Sequence, residues 1–271
     1  MIRIVCSTLV LLFTMGTTIA QNRFHCTEDD CSFKPGEQVF VFGDNVKLRN
    51  APKTESEVME LLKIGEWVEI IEKTEFSWPY RGFDSPFYKV KYDTTVGYIL
   101  GGLLSLEKKT INGQAYFFAY SKTKKGPFLN IRVLDKGKYT EEQLPLSNTS
   151  IHIKTMNGKG IPGLKNILVV DYVSEACGME GGAVYFFPTE DGLLKIGELS
   201  QVSEAGIFYY GETFIFPDDE GGEPDKIIFK KETHNILDES SEWVQRTVET
   251  RRLTWENDTL TPNFREKLPR Q

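Results

Sequence analysis

The chain has 271 residues, with 32 Lys+Arg against 39 Asp+Glu and a formal net charge of −7. Its hydrophobic content of 40% and aromatic content of 12% suffice to build a core, which excludes a disordered chain. The acidic balance and the lack of a long basic run offer phosphates no counter-charge, which argues against nucleic acid as a partner.

Residues 1–20 read as a secretory signal peptide. Arg3 supplies the positive end, the stretch from Ile4 to Phe13 the apolar segment, and Thr18-Ile19-Ala20 the small residues before a cleavage site. The apolar run is short for a membrane span and no second long run follows, so no span is expected after cleavage. The expected localisation is export, either periplasmic or secreted. Cleavage removes Cys6 and leaves Cys26, Cys31 and Cys177. In an oxidising compartment Cys26 and Cys31 are candidates to close a small disulfide loop, with pairing of either to Cys177 as the alternative. No metal site is expected, because zinc requires four ligands at tighter spacings than Cys26, Cys31 and His25 provide.

From Phe33 to about Glu107 the chain is made of short β-rich runs divided by Gly, Pro and Asn. Val39–Phe42 is a strand and Gly43-Asp44-Asn45 turns it. Val46-Lys47-Leu48-Arg49 follows, ending at Asn50-Ala51-Pro52, and Glu57–Leu62 leads to the turn Lys63-Ile64-Gly65-Glu66. The strand Trp67–Ile71 precedes a long segment between Lys73 and Phe87. Phe87–Tyr92 alternates as a strand, Asp93-Thr94-Thr95 turns, and Val96-Gly97-Tyr98-Ile99 closes the unit.

Leu48-Arg49-Asn50-Ala51-Pro52, Lys63-Ile64-Gly65-Glu66, Val68-Glu69-Ile70, Tyr88-Lys89-Val90-Lys91 and Gly97-Tyr98-Ile99 follow one another in this order. The series resembles the bacterial SH3 (SH3b) domain family over about residues 36–106. The resemblance implies a small β-barrel and a non-catalytic binding or targeting module of an exported protein, often one that contacts cell-wall peptide or glycan. The segment between Lys73 and Phe87 departs from the family, being longer and carrying Phe76, Trp78, Tyr80 and Phe83 among Pro, Gly and Asp. Rings on a rigid loop suit glycan or peptide stacking, because they offer large area at low entropic cost. The alternative is that they fold back over the barrel or dock on the second domain. The expected ligand-binding set is Trp78, Tyr80, Phe83, Tyr88 and Tyr98, with Arg49 as the charged contact.

Residues 21–107 thus form a first domain and residues 108–271 a second, joined by a short polar connection. The second domain also reads as β, with candidate strands at Ala115–Tyr120, Leu129–Leu134, Ile151–Lys154, Ile167–Val173, Ala183–Phe187, Leu193–Leu199, Thr213–Phe216, Ile227–Lys231, Val244–Glu249 and Arg251–Trp255. A helical period is suggested only around Thr140–Leu146. Many short strands at near-regular spacing predict an antiparallel sandwich or barrel. The fold class expected for the whole chain is therefore all-β.

The strongest enzymatic idea is Cys177 as nucleophile with His234 as base. Cys177 lies in the acidic, glycine-rich run Glu175-Ala176-Cys177-Gly178-Met179-Glu180, where neighbouring carboxylates disfavour the thiolate. The run Asp218–Asp225 lacks the alternating ligand spacing of a calcium loop, and no nucleophile elbow, phosphate loop or zinc-protease helix occurs. No catalytic residue and no cofactor is assigned. The expected function is non-catalytic binding in the bacterial envelope, to cell-wall fragments or an envelope protein. The alternatives are an envelope hydrolase with its residues in the second domain, and a scaffold whose first domain packs only on its own C-terminal half.

Overall fold

A computed structural model describes residues 26–27, 30–173, 178, 180–204, 207–238 and 243–266. The expected signal peptide and Cys177 lie outside the described residues. Strands β1 (Cys26–Thr27) and β2 (Asp30–Cys31) pair so that the Cα of Cys26 stands opposite that of Cys31. Their side chains lie outside the described residues.

The next six strands are β3 (Gln38–Phe40), β4 (Val46–Arg49), β5 (Val58–Leu62), β6 (Trp67–Tyr80), β7 (Phe83–Tyr92) and β8 (Thr95–Leu100). They form one antiparallel sheet in the order β3-β6-β7-β8-β4-β5, curled into a half-barrel. Val46 and Leu48 of β4, Val68 and Ile70 of β6, and Tyr88 and Val90 of β7 alternate inward, as the period of a half-buried strand requires. Phe33 caps this core with its ring edge-on to Tyr88, centroids 5.3 Å apart, and its amide donates to the Tyr88 hydroxyl at 3.2 Å.

Four strands follow as a meander: β9 (Lys108–Ile111), β10 (Gln114–Thr123), β11 (Gly126–Asp135) and β12 (Lys138–Pro145). The hairpins turn on Asn112-Gly113 and Lys136-Gly137, both pairs with positive φ, the geometry that matches the twist of two-residue β-hairpins. An eight-stranded meander completes the chain: β13 (Ile151–Asn157), β14 (Asn166–Tyr172), β15 (Gly181–Thr189), β16 (Gly192–Glu204), β17 (Phe208–Ile215), β18 (Ile227–Asp238), β19 (Trp243–Glu256) and β20 (Thr259–Thr261). The all-β expectation holds, with two local corrections. The segment around Thr140–Leu146 is strand β12 and not a helix, because its backbone pairs with β11 from Phe128 to Asp135. The two runs Val244–Glu249 and Arg251–Trp255 are one continuous strand, β19, held by an unbroken ladder to β18 across Thr250.

Strand β10 of the four-stranded sheet is buried on both faces. Tyr116, Phe118 and Tyr120 of β10 point into a core shared with Leu168 and Val170 of β14 and Val184 and Phe186 of β15. Phe117 and Ala119, on the opposite face, pack with Phe42 and Ile64 of the half-barrel. Ile167 and Val169 of β14 then face a third, aromatic core with Phe187, Phe214, Phe216 and Phe229. The continuous apolar run Ile167–Val170 reflects a strand covered on both sides.

The third core is closed by the C-terminal segment. Phe264 inserts edge-on to Phe214, centroids 5.2 Å apart. Arg265 forks onto Glu212, with Nη2 2.8 Å from Oε2. The Tyr210 hydroxyl donates to Glu212 Oε1 at 2.7 Å and the Ser200 amide to Oε2 at 3.1 Å. The Glu212 side chain is only 1% exposed. Burial pushes its carboxyl up, and the Arg265, Tyr210 and Ser200 donors outweigh burial, leaving it below the ordinary carboxylate value of 4.5.

Two outcomes are expected. Phe117→Ala empties the seam between half-barrel and four-stranded sheet and should cost about 3 kcal/mol in urea unfolding. Glu212→Gln should cost about 2 kcal/mol at pH 7, because it leaves the donors around it without their charged acceptor. Since the folded carboxyl is depressed, its contribution is complete above pH 4.5 and lost as the pH falls through its folded value. Stability measured from pH 7 downward should therefore fall more steeply below pH 4.5 in the native chain than in Glu212→Gln.

Candidate functional site

The segment between Lys73 and Phe87, which the sequence suggests is a loop, is a β-hairpin. Strands β6 and β7 run past the half-barrel and pair as far as Tyr80 opposite Phe83, across the two-residue turn Arg81-Gly82. Both turn residues have positive φ, at 50° and 84°. Irregularities between Ile70 and Glu72 and between Lys73 and Ser77 bend β6, and at the second the Thr74 hydroxyl donates to the Phe87 carbonyl at 2.9 Å. The segment reads as a loop in sequence because bulges break the period of two that identifies a strand.

The tip of this hairpin is fixed to the four-stranded sheet. The Arg81 guanidinium donates to Glu141 at 3.0 and 3.3 Å, and the Lys122 amide donates to the Arg81 carbonyl at 2.8 Å. Arg132 donates to the same Glu141 at 2.7 Å and to the Phe42 carbonyl at 2.7 Å, with its guanidinium 4.3 Å from the Phe42 ring centroid. Burial raises the Glu141 carboxyl, and the two arginines more than reverse this, so it sits below the usual range.

The structure separates the six expected ligand contacts. Phe83 packs on the core between the four- and eight-stranded sheets, and Tyr80 is half-buried beside Gly102. Tyr88 is fully buried in the half-barrel core, so it has no surface with which to meet a ligand. Arg49 and Tyr98 are Cα partners on β4 and β8, and Arg49 Nη1 donates to the Ser56 carbonyl at 2.6 Å. Tyr98 stands opposite Lys89, some six residues along β7 from Phe83, about 20 Å away. What remains in solvent on the hairpin is Trp78, 48% exposed, and Phe76, 55% exposed. The composition of the segment pointed to Phe76 but gave no way to separate it from the docked rings.

Of the other chemistry singled out in sequence, His234 and two carboxylates of the acidic turn are engaged. His234 Nε2 lies 2.7 Å from Glu232 Oε1, and its ring is 5.5 Å from that of Tyr209. Glu232 is held down to about 2 by Lys230, His234 and Arg246. In the acidic turn, Asp219 accepts from Lys159 at 2.8 Å and Glu223 from Arg252 at 2.8 Å. Among the described residues no group of three His, Cys, Asp or Glu is placed to hold a metal ion.

A second concave feature carries residues that the sequence did not mark. A cleft of about 730 Å3 opens where three sheets meet, lined by Phe40, Lys108, Lys109, His152 and Lys154 among others. Lys108 Nζ sits 4.4 Å from the centroid of the Phe40 ring. Nothing in the sequence marked it, since Lys108-Lys109 is one of three adjacent lysine pairs in the chain.

Residues 44–105 match the family of the bacterial SH3 domain. The half-barrel is thus a bacterial SH3 domain, a class of binding module. The match begins inside the half-barrel and ends between β8 and β9, and the four- and eight-stranded sheets lie outside it. Comparison with curated proteins and with solved structures gives no match for the chain.

Gly82 tests the clamp on the hairpin. A Cβ there would overlap the Lys122 carbonyl, and its φ of 84° is one that L residues disfavour. Gly82→Ala should release the tip, costing about 2 kcal/mol and raising hydrogen exchange at residues 76–86 while leaving β14 and β15 protected.

Proposed function

We propose that this is an exported, non-catalytic binding protein of the bacterial envelope, whose SH3 domain presents the Phe76–Trp78 face of its hairpin to cell-wall peptide or glycan. The observation that carries this reading is the pairing of exposure with rigidity. Two large rings stand in solvent on a ribbon whose tip is tied by Arg81, Gly82 and Phe83 to a second domain. A ring held in place loses little entropy when a ligand stacks on it. Export rests on the signal-like residues 1–20, and envelope binding on the family of the SH3 domain. Tyr88 and Phe83 have no part in the proposed surface, since both are consumed by packing.

Co-sedimentation with purified insoluble cell wall tests the reading, with the supernatant assayed for released muropeptides. The protein from Gln21 onward should pellet, a Phe76→Ala/Trp78→Ala variant should bind at least about tenfold more weakly, and no fragments should appear. Soluble protein in the supernatant of both would sink the wall reading. Released fragments would overturn the non-catalytic one.

A further inference from the structure

The turn between β10 and β11 departs from its neighbours. The other two hairpins of the four-stranded sheet turn on Asn112-Gly113 and Lys136-Gly137. This one places Lys124-Lys125 between Thr123 and Gly126, and neither lysine has the positive φ that two-residue hairpins favour. Positions where local preference gives way without a packing gain concentrate at functional sites. Lys122, Lys124 and Lys125 are all exposed, and none has an ion-pair partner among the described residues. No Asp or Glu occurs from Lys108 to Leu134, in a chain whose net charge is −7.

This turn abuts the aromatic hairpin. The Lys122 amide donates to the Arg81 carbonyl at 2.8 Å, and Gly82 lies against the Lys122 carbonyl. Trp78 stands three residues from Arg81 and Lys124 two from Lys122, so rings and lysines lie within about 20 Å of each other. The edges of the ribbon are poor templates for a further strand. Tyr80 and Phe83 bond each other across the turn, which directs the backbone of Pro79 and Pro86 outward, where neither has an amide to give. The Phe76 amide is taken by the Thr74 hydroxyl at 3.3 Å. Charge on the ribbon is sparse. Its cations Lys73 and Arg81 are engaged, Arg81 with Glu141. Its acids are Glu75 and Asp84, and Asp84 accepts from Ser77 on the side opposite Trp78. Counted against both acids, the three lysines still leave an excess of one cation, and it sits at the turn.

From rings, lysines and blunted edges together, we infer that the two hairpins form one surface for an acidic glycan, a chain of sugar rings bearing carboxylate or phosphate groups. The inference rests on the hairpin reading above and narrows its ligand from peptide or glycan to glycan. The C–H face of a pyranose carries partial positive charge and stacks on the negative face of an indole or phenyl ring. Phe76 and Trp78 hold sugar rings in this way. Lys122, Lys124 and Lys125 meet the acidic groups further along the chain, as compact charges on flexible stems that need no preformed pocket. An extended peptide finds no row of donors on the ribbon, so strand addition does not compete.

Titration calorimetry of the full mature chain tests the inference with polygalacturonate, phosphomannan, dextran and polyglutamate. At least one acidic glycan should bind at least about tenfold more tightly than dextran, which lacks the charge, and than polyglutamate, which lacks the ring. The tighter of the two acidic glycans identifies the acidic group. Lys124→Glu/Lys125→Glu, on an exposed turn, should weaken that binding by about tenfold or more, and so should Phe76→Ala/Trp78→Ala. Raising salt from about 50 to about 500 mM should weaken it comparably with the protein untouched. Dextran or polyglutamate binding as tightly as the acidic glycans, or no glycan binding, overturns the inference. Co-sedimentation keeps the two readings apart. A chain that pellets with cell wall yet ignores both acidic glycans retains the wall reading and loses this one. A chain that binds them through rings and lysines without pelleting retains this one and loses the other.

Discussion

Strand β10 carries the architecture. Its residues alternate between two cores, Tyr116, Phe118 and Tyr120 facing the eight-stranded sheet and Phe117 and Ala119 facing the SH3 domain. Each face alone is an ordinary apolar stripe, and both together leave the strand no solvent side. The SH3 domain is therefore attached to the rest of the chain by buried side chains as well as by a peptide connection. Around this seam the polar groups find partners within it: Arg132 reaches the Phe42 carbonyl, and Glu141 accepts from both Arg132 and Arg81. A buried guanidinium is costly unless every such partner is present, so the seam has one arrangement that satisfies it.

Docking has a consequence for the hairpin. A two-stranded ribbon extending past its sheet is marginal in water by itself. Here its tip is held at the turn by Arg81 and beneath by Phe83, so the part between tip and half-barrel is suspended at both ends. Phe76 and Trp78 occupy that part. The long hairpin is thus used twice, once to join the SH3 domain to the four-stranded sheet and once to carry exposed rings. The reading of the segment as a binding surface and the reading of it as packing each describe different residues of one hairpin.

Much of the SH3 domain was legible because its turns and strands are local. Lys63-Ile64-Gly65-Glu66 and Gly97-Tyr98-Ile99 act over a few residues, and Gly65 has the positive φ that such a turn requires. The strands from β9 to β20 were mostly legible for the same reason. β12 was not, since Glu141, Glu142 and Gln143 favour a helix in isolation and take a strand only because β11 offers a ladder and two arginines await Glu141. Among site residues, composition pointed to the aromatic segment as a whole. It did not distinguish Tyr88, whose ring is core, from Trp78, whose ring is not.

The amino-acid sequence alone determined the β class, the positions of most turns and the SH3 family, because these depend on side-chain period and turn chemistry within short stretches. Tertiary structure decided which rings are free, which edges stay open and which charges meet. Arg81 and Glu141, Phe40 and Lys108, and Ile153 and Lys109 are far apart in sequence and are brought together only when the sheets pack. Exposure and charge complementarity are properties of that packing, and no local pattern encodes them.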